Sequence, residues 1–265
     1  MDSVFPWLMP GRARVASPPG DRWASFLEAM SRTTRYRGVR DLRGIDAVSL
    51  ETFFADHGSF RNDNAPSPRR ESIALPWDPQ LRIAAVAPWF RLERRVEVFM
   101  QPSTRQLENF RGEILAAPVG ALRCLAVKAL QGRLRLPHLR YGVLVFSGLG
   151  FEPPRAWDRE LFWRAFQAPV FTQLRGLHGE LLAFECEAHR GLHVRTDQAV
   201  FEVRPELHPE LLVTSLANLR YPVPRLATGM TATIEHSPCG CGLGTPRLRL
   251  LRLPVAASGG PRLAG

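Results

Sequence analysis

Three of the four cysteines in this 265-residue chain stand in a pattern that is typical of a metal site. Cys186 is followed by His189 and His193, and Cys239 and Cys241 are one glycine apart. Zinc takes four tetrahedral nitrogen and sulfur ligands, and three cysteines with one histidine form a recognised closed set. Glycine lets the chain turn two close thiolates toward one ion. The pattern predicts structural zinc with either histidine as fourth ligand, although such cysteines also occur as small buried apolar residues.

The N-terminal residues indicate the compartment in which these cysteines reside. The opening MDSVFPWLMPGRAR has an acid at its second position and lacks the apolar stretch of a secretory leader. No run of about 18 apolar residues predicts a membrane span. We therefore expect a cytoplasmic protein without membrane association, in which metal binding or free thiols are favoured over disulfides. Cys124 lies in the apolar segment ALRCLAVKAL, and we interpret it as a packed thiol.

The basic charge has a second explanation besides nucleic-acid binding. The formal net charge is +10 and the pI about 10.7. Lys128 is the only lysine, and the arginines alternate with acids in segments such as RLERRVEV. A compact basic stripe is therefore not predicted, and the charge indicates a solvated surface rather than a nucleic-acid partner.

The hydrophobic periodicity predicts an α/β fold in four parts. These are an irregular and helical region over 1–70, an α/β core subdomain over 71–175, a β-rich zinc subdomain over 176–255 and a disordered tail over 256–265. A polar, proline-bearing linker or loop is expected over 58–70. The predicted helices span 21–31, 49–56, 106–115, 119–130 and 158–167, with a loop and helix through 180–186. The predicted strands span 140–146, 169–173, 192–195, 199–204, 210–216, 230–235 and 248–253.

Four ordered segments resemble the phenylacetate-CoA ligase-like branch of the adenylate-forming enzymes. They are ALQGRLRLPHLRYGVLVFSG (129–148), FECEAHRGLHVRTDQAVFEV (184–203), VTSLANLRYPVPRLATGM (213–230) and CGCGLGTPRL (239–248). The resemblance covers about 120–250 and is weaker over 70–120. It implies a partial N-terminal domain of that enzyme fold with a small zinc-bound β subdomain. Because family members carry zinc at the matching positions, it also favours His193 over His189.

The resemblance implies nucleotide contacts as well, and the chain departs from several of them. Glu180 ends an altered form of the adenine and magnesium motif, and Arg225 and Gly229 match family positions, so these three are candidate contacts for ATP or AMP with magnesium. Arg225 could equally bond a carbonyl as a structural residue. Met230 stands where the family has its ribose-binding aspartate. Nothing in 1–120 resembles the phosphate loop, and the C-terminal lid with its catalytic lysine is missing.

These departures predict a truncated homologue of an adenylate-forming carboxylate-CoA ligase that lacks autonomous acid activation. We expect it to act as a binding or partner subunit, either with another protein or as a homodimer. The alternative is an enzyme that activates a carboxylic acid with ATP, together with a partner chain that supplies the missing loop and lid.

Overall fold

The computed structural model describes residues 13–14, 20–42, 44–66, 71–75, 81–87, 92–152, 154–204 and 209–252. The predicted tail over 256–265 and most of the predicted N-terminal arm lie outside these residues. The helices are α1 (Gly20–Ser31), α2 (Leu50–Ala55), α3 (Thr104–Asn109), α4 (Val119–Leu130) and α5 (Asp158–Phe166), with a 3-10 helix at His57–Phe60. The strands are β1 (Ala13–Arg14), β2 (Val48–Ser49), β3 (Ile83–Val86), β4 (Val96–Phe99), β5 (Ile114–Pro118), β6 (Gly142–Gly148), β7 (Val170–Arg175), β8 (Leu181–Glu185), β9 (Leu192–Val194), β10 (Ala199–Arg204), β11 (Glu210–Ser215), β12 (Leu226–Glu235) and β13 (Arg247–Arg252).

Five parallel strands form one half of the sheet, in the order β4, β3, β5, β6, β7. Strand β6 is buried along nearly its whole length, as a strand covered on both faces should be. Helices α4 and α5 cover one face, where Leu122, Val143 and Phe162 belong to one apolar cluster. None of the helices in the described ranges is long and apolar enough to cross a membrane.

The other half of the sheet is antiparallel. Strand β8 pairs antiparallel with β7, and the order continues through β9, β13, β12, β11, β10 and β1, with β2 parallel to β12. Along most of β12, buried residues alternate with more exposed ones, so this strand has one core face. That face packs under α1 and α2, where Phe26, Phe53, Phe60 and Phe201 share a cluster. The fold is therefore mixed α/β.

Two predicted helical segments are wrong. In the segment predicted as a helix over 106–115, α3 ends at Asn109 and β5 begins at Ile114. Ser103 and Gln106 form a capping box that starts this helix earlier than predicted. The segment predicted as loop and helix over 180–186 is instead strand β8, paired with β7 and β9. Pairing on both sides satisfies its backbone and overrides its local helix propensity.

The segment predicted as linker or loop is a packed loop rather than a linker over its first residues. Phe60 is buried in the aromatic cluster below α2. Asn62 is buried, its backbone N–H donates to the carbonyl of Arg220 at 2.8 Å, and its side chain donates to the carbonyl of Leu219 at 3.3 Å. This segment is therefore packed against the loop before β12, while residues 67–70 lie outside the described ranges.

A buried ion pair joins α4 to α5, and its loss should destabilise the fold. The Nε and one terminal nitrogen of Arg123 each donate to an oxygen of Asp158 at 2.7 Å, and the Asp158 side chain is fully buried. Removing one partner of a buried pair costs about 3–5 kcal/mol, because the other charge stays in a low-dielectric site. We expect Asp158→Ala to lower the free energy of unfolding by about that amount in urea titrations.

Glu160 on the same helix supplies the control. Its pair with Arg164, at 3.1 Å, has both side chains about two-thirds exposed or more. Exposed pairs contribute about 1 kcal/mol or less, so Glu160→Ala should change stability little. Equal losses from Asp158→Ala and Glu160→Ala would contradict a structural role for the α4–α5 pair.

Candidate metal centre

Cys186, His193, Cys239 and Cys241 converge at one point of the fold. Cys186 directly follows β8, His193 lies in β9, and the other two lie in the turn between β12 and β13. Their ligand atoms all lie within 4.8 Å of one another. Cys186, His193 and Cys239 are buried, and Cys241 lies at the surface. The arrangement can hold a metal ion.

The distances between these atoms match a tetrahedral ion. Cys186 Sγ lies 3.7 Å from Cys239 Sγ, and Cys241 Sγ lies 3.3 Å from His193 Nε2. Metal–ligand distances of about 2.3 Å for sulfur and about 2.0–2.1 Å for nitrogen place tetrahedral ligands about 3.8 Å (S–S) and about 3.5 Å (S–N) apart. The spacing is too long for a disulfide, which joins sulfurs at about 2.05 Å. The geometry therefore fits a metal such as zinc.

The surroundings orient the histidine toward the cluster. His193 Nδ1 lies 3.0 Å from Thr245 Oγ1, which leaves Nε2 facing the thiols. Such a hydrogen bond to the second nitrogen fixes the tautomer of a metal-binding histidine. Burial lowers the pKa of His193, and so favours the neutral imidazole that ligates metal.

The thiols are shifted in opposite directions by their surroundings. Burial raises the pKa of Cys186 to about 11. The backbone N–H of Cys241 lowers the pKa of Cys239, and the charge of Arg247 contributes in the same direction. A metal ion at the cluster would deprotonate all three thiols outright.

Glycine and arginine hold the two loops in place. Gly242 has φ +83°, a conformation that favours glycine, in the turn after Cys241. Gly191 has φ +106°, and a Cβ there would lie 2.7 Å from the carbonyl oxygen of Leu248. The buried Arg247 donates to the carbonyl of Arg190 at 2.8 Å and to Ser237 Oγ at 3.0 Å. It thus joins the loop after β8 to the loop after β12.

His189 lies outside the cluster. Its ring stacks on Phe171 with centroids 4.9 Å apart, and its Nδ1 lies 2.9 Å from Glu185 Oε1. Cys124 lies on α4 and is not part of the cluster, and its exposure contradicts its interpretation as a packed thiol.

A surface cavity of about 450 Å³ adjoins the loop that carries His189. It is lined by Arg159, Glu160, Trp163, Pro169, Val170, Glu185 and His189. Arg159 donates to both oxygens of Glu185, at 2.7 and 2.8 Å. Because these two charges satisfy each other, the cavity offers a ligand mainly the half-exposed ring of Trp163 and the remaining nitrogen of His189.

The three candidate nucleotide contacts engage different parts of the protein interior. Glu180 is buried and accepts the backbone N–H of His178 at 2.9 Å, and burial raises its pKa. Arg225 is buried, pairs with Glu202 at 3.1 Å and donates to two backbone carbonyls. Gly229 has φ +67°, and the next residue, Met230, is part of the core.

Sequence analysis missed Arg175, the largest fully buried side chain among the described residues. Its guanidinium donates to the carbonyls of Ser72 and Gly179 at 2.8 and 3.1 Å and lies 4.9 Å from the ring centroid of Phe146. Burial lowers its pKa to about 9, which leaves it charged at neutral pH. The available signal for its burial was its position at the end of the strand-like segment VFTQLR.

The comparisons with known proteins concern the fold. Neither a protein-family model nor a curated protein matches the chain. Among solved structures, it is similar to 2-hydroxyisobutyryl-CoA ligase in complex with 2-HIB-AMP and CoA. In an open conformation of that ligase the TM-score is 0.63, at 14% identity over 86% of this chain and 67% of the ligase. In the thioesterification state the TM-score is 0.65, at 14% identity over 86% and 65%.

The postadenylation complex of the same ligase gives a TM-score of 0.61, at 14% identity over 88% of this chain and 68% of the ligase. The chain thus spans about two thirds of the length of the ligase structures that it matches. At this identity the likeness concerns architecture and not activity. The mixed α/β fold of this chain resembles the fold of an adenylate-forming CoA ligase.

Proposed function

We propose that Cys186, His193, Cys239 and Cys241 hold one structural zinc ion. The donor set supports this proposal, because three thiolates and an imidazole suit zinc better than the hard cations magnesium and calcium. Four protein ligands complete a tetrahedron and leave no position for a reactive water. The ion would tie the segment after β8 to the turn between β12 and β13, and its binding would be linked to folding.

Zinc removal should destabilise the protein. We expect about one equivalent of zinc in purified, untagged protein, and a lower melting temperature after treatment with a strong chelator. A ligand present at a thousand times its Kd contributes about 4 kcal/mol to stability. For a chain of this size, that corresponds to a fall of about 8–16 °C in a thermal melt.

Matched variants separate ligation from packing. Cys239→Ser and His193→Ala should reduce both zinc content and melting temperature, whereas Cys124→Ser and His189→Ala should retain the metal. Less than about a tenth of an equivalent of zinc in wild-type protein would contradict the proposal. So would a His189→Ala variant that loses as much zinc as His193→Ala.

We propose further that the chain is a homologue of a carboxylate-CoA ligase, of the phenylacetate-CoA ligase-like type, that acts as a binding or partner subunit. In this proposal it does not activate acids with ATP on its own. The main support for this proposal is the packing of protein side chains at the carboxyl ends of β6 and β7. In open α/β sheets, ligands bind outside the carboxyl ends of the strands.

Those strand ends are filled by the protein itself. Arg175 ends β7, and its guanidinium is enclosed by carbonyl groups and by the ring of Phe146. A Cβ at Gly148, the last residue of β6, would lie 2.3 Å from the carbonyl oxygen of Arg175. Ser147 Oγ and Glu180 Oε1 have no hydrogen-bond partner among the described residues, but both are buried. A nucleotide would have to displace Arg175 to reach them.

The candidate contacts do not fit a bound nucleotide either. Glu180 faces the backbone of its own turn, where a Cβ at Gly176 would lie 2.3 Å from its carboxylate. Arg225 is already paired with Glu202. Met230 lacks the oxygens with which an aspartate would bind ribose hydroxyls. These residues therefore do not support a catalytic step through ATP or magnesium.

Acid-dependent exchange of radiolabelled pyrophosphate into ATP tests this function. We expect no exchange above the protein-free background with phenylacetate, benzoate or 2-hydroxyisobutyrate, and no heat of binding for AMP with magnesium. Met230→Asp should be equally inactive, because Arg175 and Arg225 keep their interior partners. Robust exchange by the isolated chain would instead establish the alternative, an autonomous adenylating enzyme.

A further inference from the structure

One long stretch of this chain lacks acidic residues and carries several basic ones. Residues 114–151 contain no aspartate or glutamate but five basic residues, Arg123, Lys128, Arg133, Arg135 and Arg140. Arg123 is paired with Asp158 and with Glu152, which lies just outside the stretch. The other four side chains are exposed on the last turns of α4 and on the loop that follows it.

Backbone hydrogen bonds hold this loop against its neighbours. The backbone N–H of Arg133 donates to the carbonyl of Lys128 at 2.8 Å, and that of Arg135 donates to Glu108 Oε1 at 2.9 Å. The backbone N–H of Arg140 donates to the carbonyl of Glu113 at 3.1 Å. Because the donors are main-chain N–H groups, these bonds position the loop without engaging its guanidinium groups, and the bond to Glu108 places one carboxylate beside the loop.

None of the four basic side chains forms an ion pair with an acid in the described ranges. Elsewhere, arginines such as Arg82, Arg159 and Arg204 each pair with a glutamate. The four side chains are therefore free to meet an acid from outside the chain, and exposed arginines such as Arg94 and Arg105 share this property, so unpaired charge is not confined to this place.

Two exposed apolar side chains accompany this charge. Val127 is 47% exposed and Leu130 is 55% exposed on the last turns of α4. Together with Lys128, Arg133, Arg135 and Arg140 they form a surface that we name the basic edge. It combines fixed positive charges with apolar contacts, as the interfaces of electrostatically steered complexes do.

We propose that the basic edge docks an acidic, helix-forming segment of a partner protein. This proposal rests on the binding function proposed above and names the chemistry of the partner. Three of the four charges are arginines, whose planar forks bind carboxylates with two parallel hydrogen bonds. Val127 and Leu130 would meet apolar side chains spaced between the acids of the partner.

Other occupants fit this surface less well. A second copy of the chain would present acids that are largely engaged in their own ion pairs, such as Asp158 and Glu202. RNA would satisfy the arginines but would leave Val127 and Leu130 without apolar contacts, since single strands bind chiefly through stacking on aromatic rings. A bilayer surface is bound by helices with a continuous apolar face, which two side chains do not supply.

Fluorescence anisotropy with a labelled peptide tests the proposal. The probe is a peptide of about 16 residues, long enough for partial helicity, with glutamates along one side and leucines between them. We expect saturable binding that weakens as salt rises from about 0.05 to 0.5 M. The double variant Arg133→Glu/Arg135→Glu should weaken binding at least about tenfold, because it places like charges opposite the peptide.

The matched control is the double variant Arg37→Glu/Arg40→Glu, which has the same net charge as Arg133→Glu/Arg135→Glu. It changes two exposed arginines next to the apolar cluster that contains Phe26 and Phe53. It should leave the affinity within about twofold, since charges beyond a Debye length are screened. Val127→Ser/Leu130→Ser should also weaken binding without changing the salt dependence. Equal loss of binding in the control would overturn the proposal in favour of bulk charge.

Two further probes identify the occupant. RNA of matching length and vesicles of phosphatidylserine with phosphatidylcholine should bind more weakly than the peptide to wild-type protein. Tighter binding of either probe, lost in Arg133→Glu/Arg135→Glu, would overturn the assignment to a protein partner. If the isolated chain shows no pyrophosphate exchange and does not bind the peptide, only the docking surface is refuted. If the isolated chain does show exchange, the proposed function is refuted whether or not the peptide binds.

Discussion

Within the antiparallel half of the sheet, the pairing of β9 with β13 joins β8 and β9, which adjoin the parallel strands, to β10–β13. Its register consists of two residue pairs, Arg247 with His193 and Leu248 with Leu192. On one side lie the strands that lead to the parallel half, and on the other lie the antiparallel strands that cover α1 and α2. So short a ladder contributes few hydrogen bonds, and both members of its first pair also contact the candidate metal centre. A metal ion there would fix a junction whose backbone pairing is short.

Buried arginines make the other long-range ties of the fold. Arg175 reaches a carbonyl 103 residues earlier in the chain, and Arg225 reaches carbonyls 180 and 183 residues earlier. Each guanidinium carries several donors in a rigid plane, so one side chain can satisfy carbonyls from more than one segment. The desolvation of the charge is offset only when those partners are all present. Such residues specify one packing arrangement, in which Arg175 Nε and one terminal nitrogen of Arg225 are buried without a hydrogen-bond partner among the described residues.

The sequence was informative where one local pattern decides the structure. Periodicity predicted helices α4 and α5 and the strands after residue 192. The chemistry of thiols predicted the four metal-ligand candidates. The sequence was uninformative where pairing with strands distant in sequence determines the secondary structure. Strands β3, β4 and β5 are short and rich in alanine or charge, and β8 forms because strands lie on both sides of it. The partners of Arg175 lie far away in sequence, so no local spacing could predict that this charge would be buried.

The two edges of the parallel strands have different chemistry. At the carboxyl edge, Arg175 and Glu180 are buried within the protein. The amino edge is where β7 begins at Val170 beside the surface cavity, where Cys186 follows the antiparallel β8, and where the basic edge precedes β6. The metal centre, the cavity and the unpaired charge therefore share the edge opposite to the one at which open α/β sheets bind ligands. This placement of accessible groups supports the proposed role as a binding or partner subunit.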